Sequence, residues 1–267
     1  VRQFGYWYSY EKAPEWWIPF KTIVPAYGVF PAAEVTMYFL SKNAPPMFYR
    51  QTNIPEGRQK FYCWEFIFNK RMSNGWQLSG SIDFQKGIGN YRPGYAAWAA
   101  LGTFNNANSF VNTYGRLNYS PVVIKMLGTF NLPYGFFFSF IYNYRAGGYW
   151  SRGVTVVPPQ KWAEEHNVEL IPFYVIVEKP GTRRGNYSSD LDMRFGKEFV
   201  LGPGRIGLYV DVSNPLGQYT IRVSSSPGGI WRPADENTTE GIFTPGFMGL
   251  RSISGARTFR FLLSYRF

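Results

Sequence analysis

Apolar and polar residues alternate along this chain with a period of two, and the three-to-four spacing that marks an amphipathic helix is almost absent. In GWQLSGSIDFQK, 75–86, Trp76, Leu78, Ile82 and Phe84 fall on one side, and Gln77, Ser79, Ser81, Asp83 and Gln85 on the other. GFFFSFIYNYRAG, from Gly135, sets Phe136, Phe138, Phe140, Tyr142 and Tyr144 against Ser139, Asn143 and Arg145. SSDLDMRFGKEFV from Ser188 and RIGLYVDVS from Arg205 repeat the pattern. The closing RTFRFLLSYRF carries it to the last residue, with Phe259, Phe261, Leu263, Tyr265 and Phe267 alternating with Arg260, Ser264 and Arg266. Successive side chains of a strand point to opposite faces, so each segment predicts a strand with one apolar and one polar face. Weaker segments at about 1–10, 16–24, 33–42, 59–70 and 119–131 bring the predicted total to about ten strands.

Several of these run ten to thirteen residues, whereas strands in soluble sheets have a mode of about five or six. Eleven residues at ~3.3 Å rise extend ~36 Å, and a tilt of ~40° reduces this to ~28 Å, close to the ~25 Å apolar band of an outer-membrane barrel. The connections show a second regularity. RMSN joins 59–70 to 75–86, LPY joins 119–131 to 135–147, and LGP joins 188–200 to 204–213, all tight-turn chemistry. Between these hairpins lie long segments at about 87–118, 148–187 and 214–256, rich in Gly, Asn, Ser, Pro and aromatics. Short turns at one rim and long loops at the other predict an all-β chain forming an antiparallel transmembrane β-barrel over 1–267. With short turns periplasmic, Phe267 ends at the periplasmic rim, and Trp64, Trp76, Phe136 and Phe267 become lipid-facing or interfacial aromatics.

Composition agrees with this picture. Aromatics reach 20% of the chain while mean hydropathy stays at -0.24, so apolar side chains are abundant without being concentrated. No window approaches the ~18 apolar residues of a spanning helix. The net charge of +11 raises nucleic acid as a partner, but Lys and Arg are scattered singly and lack the clustering of such a footprint. One cysteine, Cys63, and one histidine, His166, exclude an internal disulfide and a Cys/His metal cluster. Cys63 reads as a packing residue within a strand, and His166, in AEEHN, as a solvated loop side chain.

Candidate chemistry is sparse, and no enzymatic activity, cofactor or metal is predicted. GIGNYRPG at 87–94 has glycines but leads into a loop without a helix to present a phosphate-binding terminus. Asp190, Asp192 and Arg194 share a face and read as a lumen-side charge network rather than paired catalytic carboxylates. An outer-membrane protease of the ten-stranded type needs a histidine with acidic partners at the extracellular rim, and His166 beside Glu164 and Glu165 lies in no such motif. The long loops carry Tyr91, Tyr95, Trp98, Tyr149, Trp150 and Trp231, of which Tyr95, Trp98, Tyr149, Trp150 and Trp231 are the candidates for facing a substrate. Such rings stack on a sugar or hydrophobic peptide, or simply pack the loops and anchor at lipid headgroups.

Four stretches carry a family likeness: YCWEFIFNKRMSNGWQLSGSIDFQK (62–86), IKMLGTFNLPYGFFFSFIYNYRAGGYWSRGVTV (124–156), DLDMRFGKEFVLGPGRIGLYVDVSNPLG (190–217) and ISGARTFRFLLSYRF (253–267). Together they resemble the carboxy-terminal barrel of TonB-dependent outer-membrane transporters, in the branch with an amino-terminal carboxypeptidase-regulatory-like domain. The resemblance implies the carboxy-terminal part of a 22-stranded barrel, located in the outer membrane of a Gram-negative bacterium and importing a bulky nutrient. It implies outer-membrane lipid as a partner, missing strands and a plug supplied by the same or another chain, and the TonB complex acting through that plug. A surface lipoprotein is a further implied partner. Neither plug nor TonB box is found in 1–267, and DVSNPLG at 211–217 departs from the family's DVFNLFN-like phrase. Phe259, Phe261, Leu263, Tyr265 and Phe267 resemble the terminal signal read by the barrel-assembly machinery. The alternatives are a structural barrel scaffold in a larger outer-membrane assembly and a passive porin-like pore.

Overall fold

The computed structural model describes residues 14–45, 58–90, 114–223, 230–231 and 250–267, and it is dominated by antiparallel β-structure. In chain order the strands are β1 (Trp17–Val24), β2 (Ala33–Leu40), β3 (Gln59–Ser73), β4 (Trp76–Gly89), β5 (Gly115–Arg116), β6 (Val122–Asn131), β7 (Phe136–Arg145), β8 (Tyr149–Trp150) and β9 (Gly153–Val156). They continue as β10 (Phe173–Ile176), β11 (Arg183–Arg184), β12 (Ser188–Leu201), β13 (Gly204–Ser213), β14 (Thr220–Val223), β15 (Ile230–Trp231), β16 (Leu250–Ser254) and β17 (Thr258–Arg266). A helix, α1 (Gln160–Glu165), falls between β9 and β10. No helix among the described residues is long and apolar enough to cross a membrane.

The long strands form one sheet in the order β17-β13-β12-β7-β6-β4-β3, with the short β5 also paired to β4. Every pairing in it is antiparallel. Its hairpins close where the turn chemistry predicts. Asn74 and Gly75 adopt φ of 51° and 81° between β3 and β4, the two left-handed residues that match hairpin twist. The β6–β7 connection turns through Pro133–Gly135, and β12–β13 through Gly202 at φ 57°. β3 and β17 are the edges, and among the described residues neither has a second strand beside it.

The segments at 16–24 and 33–42 are strands, as predicted, but not staves of this sheet. β1 and β2 pair only with each other, in register from Trp17 opposite Leu40 to Val24 opposite Ala33. Their alternation serves a different purpose. Phe20, Val24, Val35, Met37 and Phe39 are buried against Val154 and Val156 of β9, Trp162 and Ala163 of α1, and Val168, Val175 and Val177. This is a closed, side-chain-filled core of the ordinary kind, with the Phe20 ring 4.8 Å from Trp162 and 6.1 Å from Phe39. Eight-residue strands suit such a small unit. The segment predicted at 1–10 lies outside the described residues.

The 148–187 connection is correspondingly not an irregular loop. It leaves β7, forms the separate β8–β11 pair, supplies β9, α1 and β10 to this unit, and returns to β12. Arg152, 1% exposed, locks the unit together: its guanidinium donates to the Pro25 and Pro31 carbonyls at 2.9 and 3.0 Å, and its backbone N–H to Glu178 at 2.6 Å. Burial pushes this guanidinium below its ordinary value, and Glu178 opposes the shift.

Candidate functional site

Register turns the one-dimensional alternation into two surfaces. Trp76, Phe130, Phe138, Phe195, Val210 and Phe261 stand directly opposite one another from β4 to β17. The rings form a continuous row: Trp76 to Phe130 is 6.1 Å and stacked, Phe130 to Phe138 6.0 Å, and Phe138 to Phe195 4.8 Å. The next row toward the loop end is Leu78, Gly128, Phe140, Met193, Val212 and Phe259, and the one beyond it Phe68, Gly80, Met126, Tyr142 and Leu191. Two of these positions are glycine for a steric reason. A Cβ at Gly128 would collide with the Phe140 ring, and one at Gly80 with the Phe68 ring and the Lys125 carbonyl.

Nothing among the described residues covers this face. Trp64 is 70% exposed, Phe261 76% and Leu263 73%, and large contiguous apolar patches of this sort mark surfaces that meet a partner or a membrane. Its charged positions confine themselves to the ends. Lys70 and Lys197 sit toward the short turns, and Lys60 and Lys86 toward the long connections; no carboxylate occupies the described positions of this face. Lys70 lies 3.9 Å over the Trp76 ring and donates to the Ser73 and Trp76 carbonyls, while Lys197 lies 4.1 Å over Phe136. Long cations whose stems run along apolar surface toward a polar boundary are the expected edge of such a band.

The opposite face is polar. Gln77, Ser79, Ser81, Asp83 and Gln85 of β4 share it with Lys125, Thr129, Ser139, Asn143, Asp190, Asp192, Arg194 and Asp211. The charge network predicted there is present with different membership. Arg194 donates Nε and Nη2 to Asp211 at 2.5 and 2.8 Å, and Arg260 donates to the same carboxylate at 3.3 and 3.1 Å. Asp190 and Asp192 share the face but join no ion pair among the described residues. Asp211 was absent from the predicted set because its partner on β17 is visible only through the β13–β17 register, where it stands opposite Arg260. Cys63 is on this polar face opposite Gln85 and is exposed rather than packed.

Asp211→Asn is expected to weaken the sheet by about 1.5–3 kcal/mol, the range for hydrogen bonds to charged groups, since it leaves two guanidinium groups facing each other. Asp190→Asn should stay within about 0.5 kcal/mol. Denaturant unfolding of both variants checks the contrast, and equal losses would contradict the network.

At the loop end, the candidate aromatics separate. Tyr149 of β8 lines a cavity of about 140 Å³ together with Gln85, Lys86, Gly87, Arg116 and Tyr119. Arg116 lies 4.9 Å and Arg184 5.7 Å over the Tyr149 ring. Trp150, one residue on, instead packs within the small unit, 6.1 Å from Phe30. Trp231 stands on β15, whose backbone pairs in parallel with β9 opposite Val156. Tyr91, Tyr95 and Trp98 lie outside the described residues. Lys86, Arg116 and Tyr119 were not among the predicted site residues, and only the arrival of β5 beside β4 brings them to Tyr149.

His166 caps the end of α1, exposed and stacked 4.4 Å from Trp162, with Nδ1 2.9 Å from the Trp162 carbonyl. The terminal segment forms β17, with Phe259, Phe261, Leu263 and Tyr265 on the apolar face and Phe267 fully exposed beyond it. Among the described residues no group of three or more potential ligands is placed to hold a metal. No family model, no curated protein and no solved structure matches this chain.

Proposed function

We propose that the long-stranded sheet is part of the wall of an outer-membrane β-barrel and serves as the carboxy-terminal barrel portion of a TonB-dependent transporter importing a bulky nutrient. One observation carries the membrane reading: an uncovered apolar face, continuous through seven strands and bordered at both ends by lysines, backed by a polar face. In water such a face would drive association; in lipid it is the surface that matches the solvent. The polar face then lines the interior, the short turns lie in the periplasm, and the small unit of β1, β2, β9, β10 and α1 stands at the extracellular rim. Further strands and a plug complete the barrel, and the TonB complex acts through that plug.

Alternate-residue labelling in the outer membrane of a Gram-negative host tests this. On a Cys63→Ser background, Trp64→Cys, Phe195→Cys and Phe261→Cys should resist a membrane-impermeant maleimide and, when tagged with a fluorophore, be quenched by doxyl lipids. Glu65→Cys, Arg194→Cys and Leu262→Cys should react and escape quenching. Equal reactivity of the two sets overturns the wall. Conductance of the purified complete barrel separates the gated transporter, which stays closed, from a passive pore.

A further inference from the structure

We infer that the groove beside the β6–β7 turn holds one glycerophospholipid of the periplasmic leaflet, an acyl chain along the groove and the phosphate on Lys197. This rests on the reading of the long-stranded sheet as a membrane wall. The groove, about 700 Å³, runs between two rows set by register on the apolar face, with Pro133 and Tyr134 at its end. Phe136, Lys197 and Leu208 form the row nearest the turn, and Phe195, Val210 and Phe261 the row beyond it. Its exposed lining is almost wholly apolar. On the other face the Phe137 and Tyr209 rings, 5.6 Å apart, fill the space at Gly196, where a Cβ would collide with both.

Two features select the occupant. The first is the floor. β12 lies between β7 and β13, and β13 between β12 and β17, so the ladder donors and acceptors beneath the groove are already paired. A peptide laid there would leave its own backbone groups without partners, whereas an alkyl chain has none to satisfy. The second is the charge. Lys197 holds its ammonium 4.1 Å over Phe136, a groove wall, and 4.8 Å over Phe199. These rings position the cation without offering its three donors an oxygen, and among the described residues Lys197 makes no hydrogen bond or ion pair. Glu198, next in sequence, lies on the polar face, where the Tyr209 hydroxyl donates to it at 3.1 Å and Arg205 stands 4.0 Å away. Lys70, at the same rim, differs in that its ammonium is engaged by the Ser73 and Trp76 carbonyls. A single unengaged ammonium at the end of an apolar groove matches one phosphate above an acyl chain.

Native mass spectrometry of the purified complete protein in detergent, titrated with phosphatidylglycerol, diacylglycerol of the same chains and lipopolysaccharide, tests the assignment. One phosphatidylglycerol retained per protein, about tenfold tighter than diacylglycerol, is expected. Lys197→Gln should weaken it about fivefold and leave diacylglycerol unchanged, while Lys197→Arg should bind like wild type. Lys86→Gln, which removes a cation of the same face at its other end, should change nothing. Val210→Trp, which fills the groove, should weaken both lipids, and heat-modifiable migration checks that each variant is folded. Phosphatidylglycerol retention that Lys197→Gln does not alter, or a preference for lipopolysaccharide, overturns the site. Sheet faces that label differently alongside such a result keep the membrane wall and lose the lipid. Faces that label alike while phosphatidylglycerol still depends on Lys197 keep the lipid-binding groove and lose the wall.

Discussion

On the proposed membrane wall, Phe140→Arg is expected to deplete the assembled protein in the outer membrane by roughly 30- to 700-fold, while Ile141→Arg, one residue away, leaves it within a factor of a few. The two positions are the centre of β7 (Phe136–Arg145) and differ only in the face they occupy. Phe140 stands in the apolar row between Gly128 and Met193, its ring filling the space over Gly128. On that proposal arginine there places a guanidinium near the middle of the apolar band, at about 2–4 kcal/mol in transmembrane barrels, which the tenfold-per-1.4 kcal/mol relation converts to the stated loss. Ile141 lies on the polar face directly between Leu127 and Asp192, so arginine gains a carboxylate neighbour. Heat-modifiable migration of the two variants in isolated outer membranes measures the ratio. Equal depletion would show that the two faces see the same surroundings, and the membrane reading would fail.

Phe20→Ala should produce the second large effect, about 3–5 kcal/mol lost, but from a different part of the molecule. Phe20 is fully buried and touches Phe39 and Trp162, the three rings around which the β1–β2 sheet, β9 and α1 close. Little else is available to fill the vacancy, because Val24, Met37, Val154 and Val156 are themselves already packed. The loss is expected to be local. Hydrogen exchange should show protection falling in 17–24, 33–40, 153–156 and 173–176, with 122–131 and 136–145 unchanged. A parallel loss in the long strands would mean that the small core and the sheet unfold as one unit.

These two outcomes separate what alternation along the chain does and does not reveal. The strands at 75–86, 135–147, 188–200 and 204–213, with their connecting turns, were legible because period two and left-handed turn residues are local properties. Which solvent an apolar face meets is not local. Phe20, Thr22 and Val24 alternate as cleanly as Phe259, Phe261 and Leu263, yet the first set is buried, Phe20 and Val24 in the core with α1 and β9, and the second is bare. Strand length was the better discriminator: eight residues in β1 and β2 against fourteen in β4 and β12. The candidate site was legible only in its aromatic component. Tyr149 was visible as a loop tyrosine, but Arg116 and Lys86 reach it through pairings between segments far apart in sequence. The same holds for Asp211 and Arg260, separated by 49 residues and joined by register.

The order of the long-stranded sheet also sets a rule of parity. Counting β17, β13, β12, β7, β6, β4 and β3 in turn, direction reverses at each step, so the first and seventh strands run the same way. Brought edge to edge, β17 and β3 would meet parallel, with slanted rather than perpendicular hydrogen bonds. An antiparallel wall closed on these strands therefore takes an odd number of others. A total of 22, the count of the large outer-membrane transporters, is met by about fifteen. One strand fewer or one more leaves a parallel pair in the closed wall.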